Sequence, residues 1–364
     1  MKTKILVFIL SLVLLTSLAL AGCTQPTPTP SPSPSPSPSP SPTPTHQQVS
    51  VGIWTSPLGT SGYEIIYGYE DMVKKEHPWL RLPTVETPGY IYNMNAHAEN
   101  PSLWENTAIS MNPFMAQIAK MPLKPFFEQT IVGYRVLFQI SQMAGWFVTL
   151  DPNIKTVDDL VGKRIALGTK AQLTWGTIAE IVLRDGYQIF DKADVSFIGN
   201  MAAPQAVLDG TADAAYIAPI VNPYNGQYIP SGDLVLLEGS GRKVYHIPNE
   251  QKHIDNLRAK GWLWQYPITV PAGSFASLDK EQMGIGSGWV CVGVKDVFPE
   301  DVAYEITKFA ITHMDRLQDY HAMGKAASVE LNTKLLIKND LHPGAVRAFE
   351  DLGLSISDKR PWEQ

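Results

Sequence analysis

The chain has 364 residues, with 29 Lys and Arg against 35 Asp and Glu and a formal net charge of −6 at pH 7. That length suits two lobes better than one small core, and an acidic balance excludes a phosphate backbone as a natural partner, so no nucleic acid is expected. At 44% hydrophobic residues the composition is that of an ordinary globular protein, and beyond the first twenty-odd residues no apolar run is long enough to span a bilayer.

Lys2 and Lys4 precede an uncharged apolar run from Ile5 to Leu20, followed by Leu20-Ala21-Gly22-Cys23. This reads as a signal peptide over residues 1–22 and resembles the leader of bacterial lipoproteins, in which the cysteine thiol is acylated before cleavage. Cys23 is therefore the expected lipidation site and mature N-terminus, and the run is short for an uncleaved membrane helix. Behind it, within a linker assigned to residues 23–48, Pro alternates with Ser or Thr from Gln25 to Thr45. Proline fixes φ and removes a backbone donor, so the tract is expected as an extended polyproline II spacer reaching roughly 60 Å. Tracts of this composition also serve as protein ligands or glycosylated stalks.

The folded part opens with alternating Val49, Val51 and Ile53, a strand, then the turn-rich loop Ser56-Pro-Leu-Gly-Thr-Ser-Gly62 and a helix through Glu76 stopped by His77-Pro78. Such a loop presents backbone N–H groups at a helix N-terminus, though most loops of this kind are only turns. Strands are predicted over 80–87 and 107–111, a helix opening at Asn112-Pro113 and running to Ala119, and β-rich segments over 130–140 and 145–150. Thr156 and Asp159 have capping-box spacing. A short strand between Gly162 and Gly168 leads through a second loop, Thr169 to Thr174, into a helix carrying Ile178, Ile181 and Val182. Strands over 194–198 and 213–217 flank a helix over 203–209, an alternation that argues for a parallel α/β sheet. Farther on, strands are predicted over 234–237, 268–270 and 289–294. Helices are predicted over 249–260, from Pro299 for most of the remainder, and from Pro343 to about Gly353.

Catalytic and metal-binding signatures are missing from the sequence. It has no Gly-x-Ser-x-Gly, no His-Glu-x-x-His, no P-loop, and no pair of Cys or His at ligand spacing, so no catalytic residue, metal or cofactor is assigned. Asp158/Asp159 and Asp209/Asp213 read as caps or solvated junctions, His342 as a helix-start residue, and Cys291, in an apolar run and without a disulfide partner if Cys23 is lipidated, as core. Trp54, Tyr63, Trp175, Tyr216, Tyr224, Phe275 and Trp289 lie in or beside strand-end loops, where open α/β sheets bind ligands. Each alone is more often a core residue.

Five segments together resemble the TAXI family of solute receptors for TRAP transporters. They are Ser56 to Gly62; Thr156-Val-Asp-Asp-Leu-Val-Gly-Lys-Arg-Ile-Ala-Leu-Gly168; Asp209-Gly-Thr-Ala-Asp-Ala-Ala-Tyr216 with Pro223 after it; Pro271-Ala-Gly-Ser-Phe275; and Leu341-His-Pro-Gly-Ala345 with Gly353. The resemblance implies an α/β fold of the two-lobe type II periplasmic-binding-protein kind, with lobe 1 from residues 49–150 and 266–364 and lobe 2 from residues 151–265. It implies a non-enzymatic, extracytoplasmic receptor, lipid-anchored to the membrane, that closes on a small organic anion or amino acid and serves TRAP membrane subunits. A receptor of the same fold serving an ABC importer or a signalling protein is the alternative, and a surface lipoprotein enzyme is a more remote one. Motif position places ligand contacts at Ser56, Gly59, Thr60, Ser61 and Tyr63 in the first loop and at Thr169, Gln172, Thr174 and Trp175 in the second. Asn112, Pro223 and Phe275 complete the set. Ala171-Gln172-Leu173-Thr174-Trp175 stands where the family has Gly-Ser-Gly-Thr, which implies a ligand with an apolar or ring portion.

Overall fold

The apolar alternation of the strands decides the architecture. In the computed structural model, which describes residues 47–118, 133–262 and 265–363, β1 (Val49–Ser50) and β2 (Gly52–Trp54) lead into α1 (Ser61–Glu76), then β3 (Leu80–Arg81), β4 (Thr84–Val85), α2 (Tyr90–Ala98), β5 (Thr107–Met111) and α3 (Pro113–Ile118). The leader, Cys23, nearly all of the linker, Ala119 and the predicted strand start at Thr130 fall outside the described residues. β2 lies between β4 and β5, parallel to both. α1 starts and stops where its sequence signals put it: Thr60 accepts from the Tyr63 N–H, and His77 caps the end.

β6 (Tyr134–Thr149) then runs as one sixteen-residue strand, where the sequence suggested two β segments. Residues 134–145 pair antiparallel with β14 (Gln282–Val294), and residues 146–149 pair with β9 of the wing that follows. Those are β7 (Arg164–Leu167), a helix α4 over 174–187, β8 (Asp194–Phe197), α5 (Ala202–Leu208) and β9 (Ala214–Ile217). β7 is parallel to both β8 and β9, and β9 is antiparallel to β6. A hairpin of β10 (Ile220–Asn222) and β11 (Gln227–Ile229), then α6 (Gly232–Gly239), β12 (Tyr245–Ile247) and α7 (Gln251–Ala259), complete this end of the sheet.

The chain returns through β13 (Pro267–Val270) into β14, which pairs with β5 at its far end, and finishes with α8 (Glu300–Thr312), α9 (Val329–Leu335) and α10 (Pro343–Asp351). The sheet order is therefore β4-β2-β5-β14-β6-β9-β7-β8: two mainly parallel wings joined by two long antiparallel strands. Side-chain alternation splits the far wing cleanly. Ile165, Leu167, Phe147 and Tyr216 join a core that continues through the near wing, while Ala166, Trp146, Val148 and Ile217 pack on the opposite face with α5 and α6.

One predicted strand is a helix. Residues 234–237 form α6, with Leu234 and Leu237 fully buried and Val235 53% exposed. A four-residue apolar run fits both periods, and three-residue spacing of the buried leucines is helical. The hairpin β10–β11, β12 and α2 were not predicted. Cys291 is buried, its thiol pushed up to about 12 by desolvation, as a core residue should be. Among the described residues no helix is long and apolar enough to cross a membrane.

Candidate functional site

The two wings meet at a run of small residues in β14, Gly284-Ile-Gly-Ser-Gly-Trp289. A Cβ on Gly286 would stand 2.4 Å from the Tyr266 ring, and one on Gly284 2.7 Å from Ala144, so the strand passes its neighbours at glycine distance. Between these glycines Ser287 projects a hydroxyl. Asn112, at the end of β5, donates its Nδ2 to Ser287 Oγ at 2.5 Å, and its Oδ1 accepts the Phe114 N–H at 2.9 Å. From the other wing Thr174, at the start of α4, places Oγ1 3.4 Å from the same Ser287 Oγ. A polar line thus runs from one wing through the crossing strand to the other. All three residues are at least nine-tenths buried.

Trp289 follows Ser287 on the same face of β14, with Ser141 of β6 opposite it in register. The Trp289 indole nitrogen and the Ser141 hydroxyl are buried with no hydrogen-bond partner among the described residues. Unspent polar groups of this kind cost stability in a closed core and are useful where a ligand supplies the missing partner. Ser287 itself touches an amide and a hydroxyl, neither of which is a base. It is set to exchange hydrogen bonds rather than to act as a nucleophile.

The second loop is held from within. Gln172 Oε1 accepts the Thr169 and Asn200 N–H groups at 3.0 and 2.9 Å, and its Nε2 donates to Asn200 Oδ1. The Trp175 indole N–H donates to Asp233 Oδ2 at 2.5 Å, and desolvation raises that carboxyl above the usual range although Ser231, Trp175 and backbone donors oppose it. Gln172 and Trp175 therefore shape the loop that delivers Thr174, and Thr169 is exposed at its edge.

In the first loop Ser56 Oγ lies 2.7 Å from Thr60 Oγ1, which donates to the Pro57 carbonyl and caps α1 through Tyr63. Gly59 takes φ +80°, the left-handed turn that sets up the cap. Ser61 and Tyr63 occupy the first turn of α1, partly exposed. Beneath them Thr55 is fully buried with its hydroxyl unpartnered among the described residues. Pro223 is an exposed turn residue, and Phe275 is buried against Trp146 and Tyr228 rather than at the Asn112–Ser287–Thr174 line.

Of the predicted residues, then, the fold brings Asn112 and Thr174 together. It adds Ser287, which the sequence reading passed over. The available signal was a serine flanked by glycines inside a strand, where glycine is otherwise unfavourable. One carboxylate of each sequence pair is structural: Asp159 closes its capping box, and Asp213 takes Arg164 in a bidentate pair. His342 caps α10.

Residues 128–353 match the NMT1-like family. Among solved structures, a Xanthomonas citri protein bound to chloride ion aligns with TM-score 0.50 at 11% identity, covering 83% of this chain and 99% of that one. A TctC solute-binding protein from Polaromonas, without ligand, aligns with TM-score 0.47 at 13% identity over 78% and 88% of the two chains. The Rhodopseudomonas palustris protein MatC with bound malate aligns with TM-score 0.46 at 11% identity over 84% and 96%. At 11% identity the first of these likenesses is one of fold alone. With the family match spanning the crossing strands and the whole far wing, the chain belongs to the NMT1-like family.

Proposed function

We propose that this protein is an extracytoplasmic solute receptor. It captures a small organic anion or amino acid with an apolar portion between residues 151–265 and the rest of the fold, and it delivers that solute to an ion-driven TRAP-type transporter while Cys23 holds it to the membrane by lipid. The observation that carries the reading is the Asn112–Ser287–Thr174 line, because it joins both wings at the strand about which they turn. Neutral donors and acceptors suit a carboxylate or amide held by shared hydrogen bonds. Trp289 Nε1 is a free donor beside them, and the Ser56–Thr60 and Thr169–Trp175 loops bound the site. The order of the five TAXI-like segments supports the transporter class.

Thermal unfolding in the presence of amino acids, dicarboxylates and aromatic acids tests capture. A solute at about a hundred times its Kd adds about 2.7 kcal/mol, a rise of several degrees. A protein that unfolds cooperatively and shifts with none of these classes would count against the reading.

A further inference from the structure

Away from the wing junction, three acid–base side chains converge on one point. Glu250 is the N-cap of α7, His253 lies three residues on in its first turn, and Asp158 comes from the short turn Val157–Leu160. One ligand atom from each lies within 4.8 Å of the other two. The i and i+3 positions of a first helical turn share a face, so the Glu250-x-x-His253 spacing aims a carboxylate and an imidazole the same way.

The imidazole is fixed for coordination. His253 Nδ1 lies 3.0 Å from the Gly186 carbonyl, which only accepts, so Nδ1 is the donor there and Nε2 is the nitrogen left to coordinate. The ring is stacked on Tyr187 at 3.7 Å between centroids, and the residue is only 9% exposed. Its Nε2 is buried with no hydrogen-bond partner among the described residues, although two carboxylates stand close by. A buried ring nitrogen left without a partner is open to one that a bound ion would supply.

Asp158 is free to join. The neighbouring Asp159 closes the capping box with Thr156, so Asp158 takes no part in that cap. Among the described residues the competing cation is Lys252, whose ammonium lies 3.0 Å from Glu250 Oε2. Its side chain is 62% exposed, and a surface pair of this kind is weak and easily displaced.

We propose that Asp158, Glu250 and His253 form a binding site for a divalent transition-metal ion, with zinc the best fit. One neutral imidazole and two carboxylates are a borderline-hard donor set that Zn2+ accepts in tetrahedral geometry, with a fourth position for water. Ligand bonds of about 2.0–2.2 Å bring donor atoms to roughly 3.4 Å apart, so the cluster tightens by at most about 1.4 Å as it closes. Ca2+ and Mg2+, which take oxygen donors and more of them, are poorly matched. The ion ties the 157–160 turn to α7 and, through His253 and Tyr187, to the end of α4. The site is independent of the solute reading.

The test is calorimetric titration of the untagged full-length protein, stripped with chelator, with ZnCl2. One equivalent binds more tightly than about 100 µM, raises the unfolding temperature, and is not displaced by millimolar Mg2+ or Ca2+. Asp158→Asn, at an exposed position outside the cap, folds normally and loses roughly tenfold or more in affinity, as does Glu250→Gln. Lys252→Ala removes the competitor and binds zinc several-fold more tightly. Absence of stoichiometric binding in the wild type overturns the proposal. So does binding left unchanged by both carboxylate substitutions, since the ion then sits elsewhere.

Discussion

A Cβ on Gly168 would lie 2.5 Å from Trp175 Cβ and 3.1 Å from Gln172 Oε1. Neither neighbour can retreat easily, because Trp175 is bonded to Asp233 and Gln172 to Asn200. Gly168→Ala is therefore expected to destabilise the protein by about 1–3 kcal/mol through overpacking, measured by urea unfolding. Trp175→Phe keeps the ring but removes the donor to a buried carboxyl, and should cost about 1.5–3 kcal/mol while driving the Asp233 pKa further up. An unchanged urea midpoint in Trp175→Phe would show that the indole bond is dispensable. At this scale the sequence was half legible. Asn112 and Thr174 sit where strand ends meet helix starts, and that position is visible in the periodicity. Gln172 and Trp175 share the position, but which way their side chains turn depends on Asn200 and Asp233, residues remote in the chain.

At the level of elements, the long strands β6 and β14 carry the design. Each belongs to both wings, and their pairing shifts register between Trp289 and Val290 and again between Cys291 and Val292. Bulges of this kind twist and re-aim a strand, and they fall just beyond Ser287. Gly286→Ala would drive a methyl into the Tyr266 ring and should cost about 1–3 kcal/mol, with far-ultraviolet dichroism unchanged, since the strand itself remains. The ends of α1, β5 and α10 were readable because caps and prolines mark them locally. α6 was misread as strand, and the continuity of β6 through Ser141–Ala144 was missed. In both cases the answer lies in tertiary contact: α6 packs its two leucines on α5's side of the sheet, and Gln142 and Ser141 are polar residues buried within a crossing strand.

For the molecule as a whole, two buried histidines set a pH limit. Burial lowers both His97 and His246 from 6.5 to about 4. His246 Nδ1 accepts from the Trp146 indole while Nε2 faces the Ser277 hydroxyl, and His97 Nδ1 pairs with the Tyr134 hydroxyl. Between those two pKa values the unfolded chain binds more protons than the folded one. Stability is full above about pH 6.5 and falls as pH drops towards 4, by up to about 1.4 kcal/mol per pH unit per histidine. Asp233 and Asp340, whose carboxyls are raised by burial, act in the opposite sense, so the difference between wild type and His246→Gln isolates the histidine contribution. A difference that does not vary between pH 7.5 and 5 would contradict it. The parallel α/β character was legible in the alternation of strands and helices, whereas the division into two lobes was what the resemblance to a known family implied.

The most direct test of the central claim measures affinity for a stabilising solute in the wild type, Ser287→Ala and Asn112→Ala by titration calorimetry. Ser287→Ala leaves the buried Asn112 amide without its acceptor and should cost about 1–3 kcal/mol of stability, so affinities are compared where each variant is fully folded. If the solute is held at the wing junction, each substitution weakens binding by about tenfold, the worth of one shared hydrogen bond in a desolvated site. Full affinity in both variants would place the solute elsewhere and contradict the account.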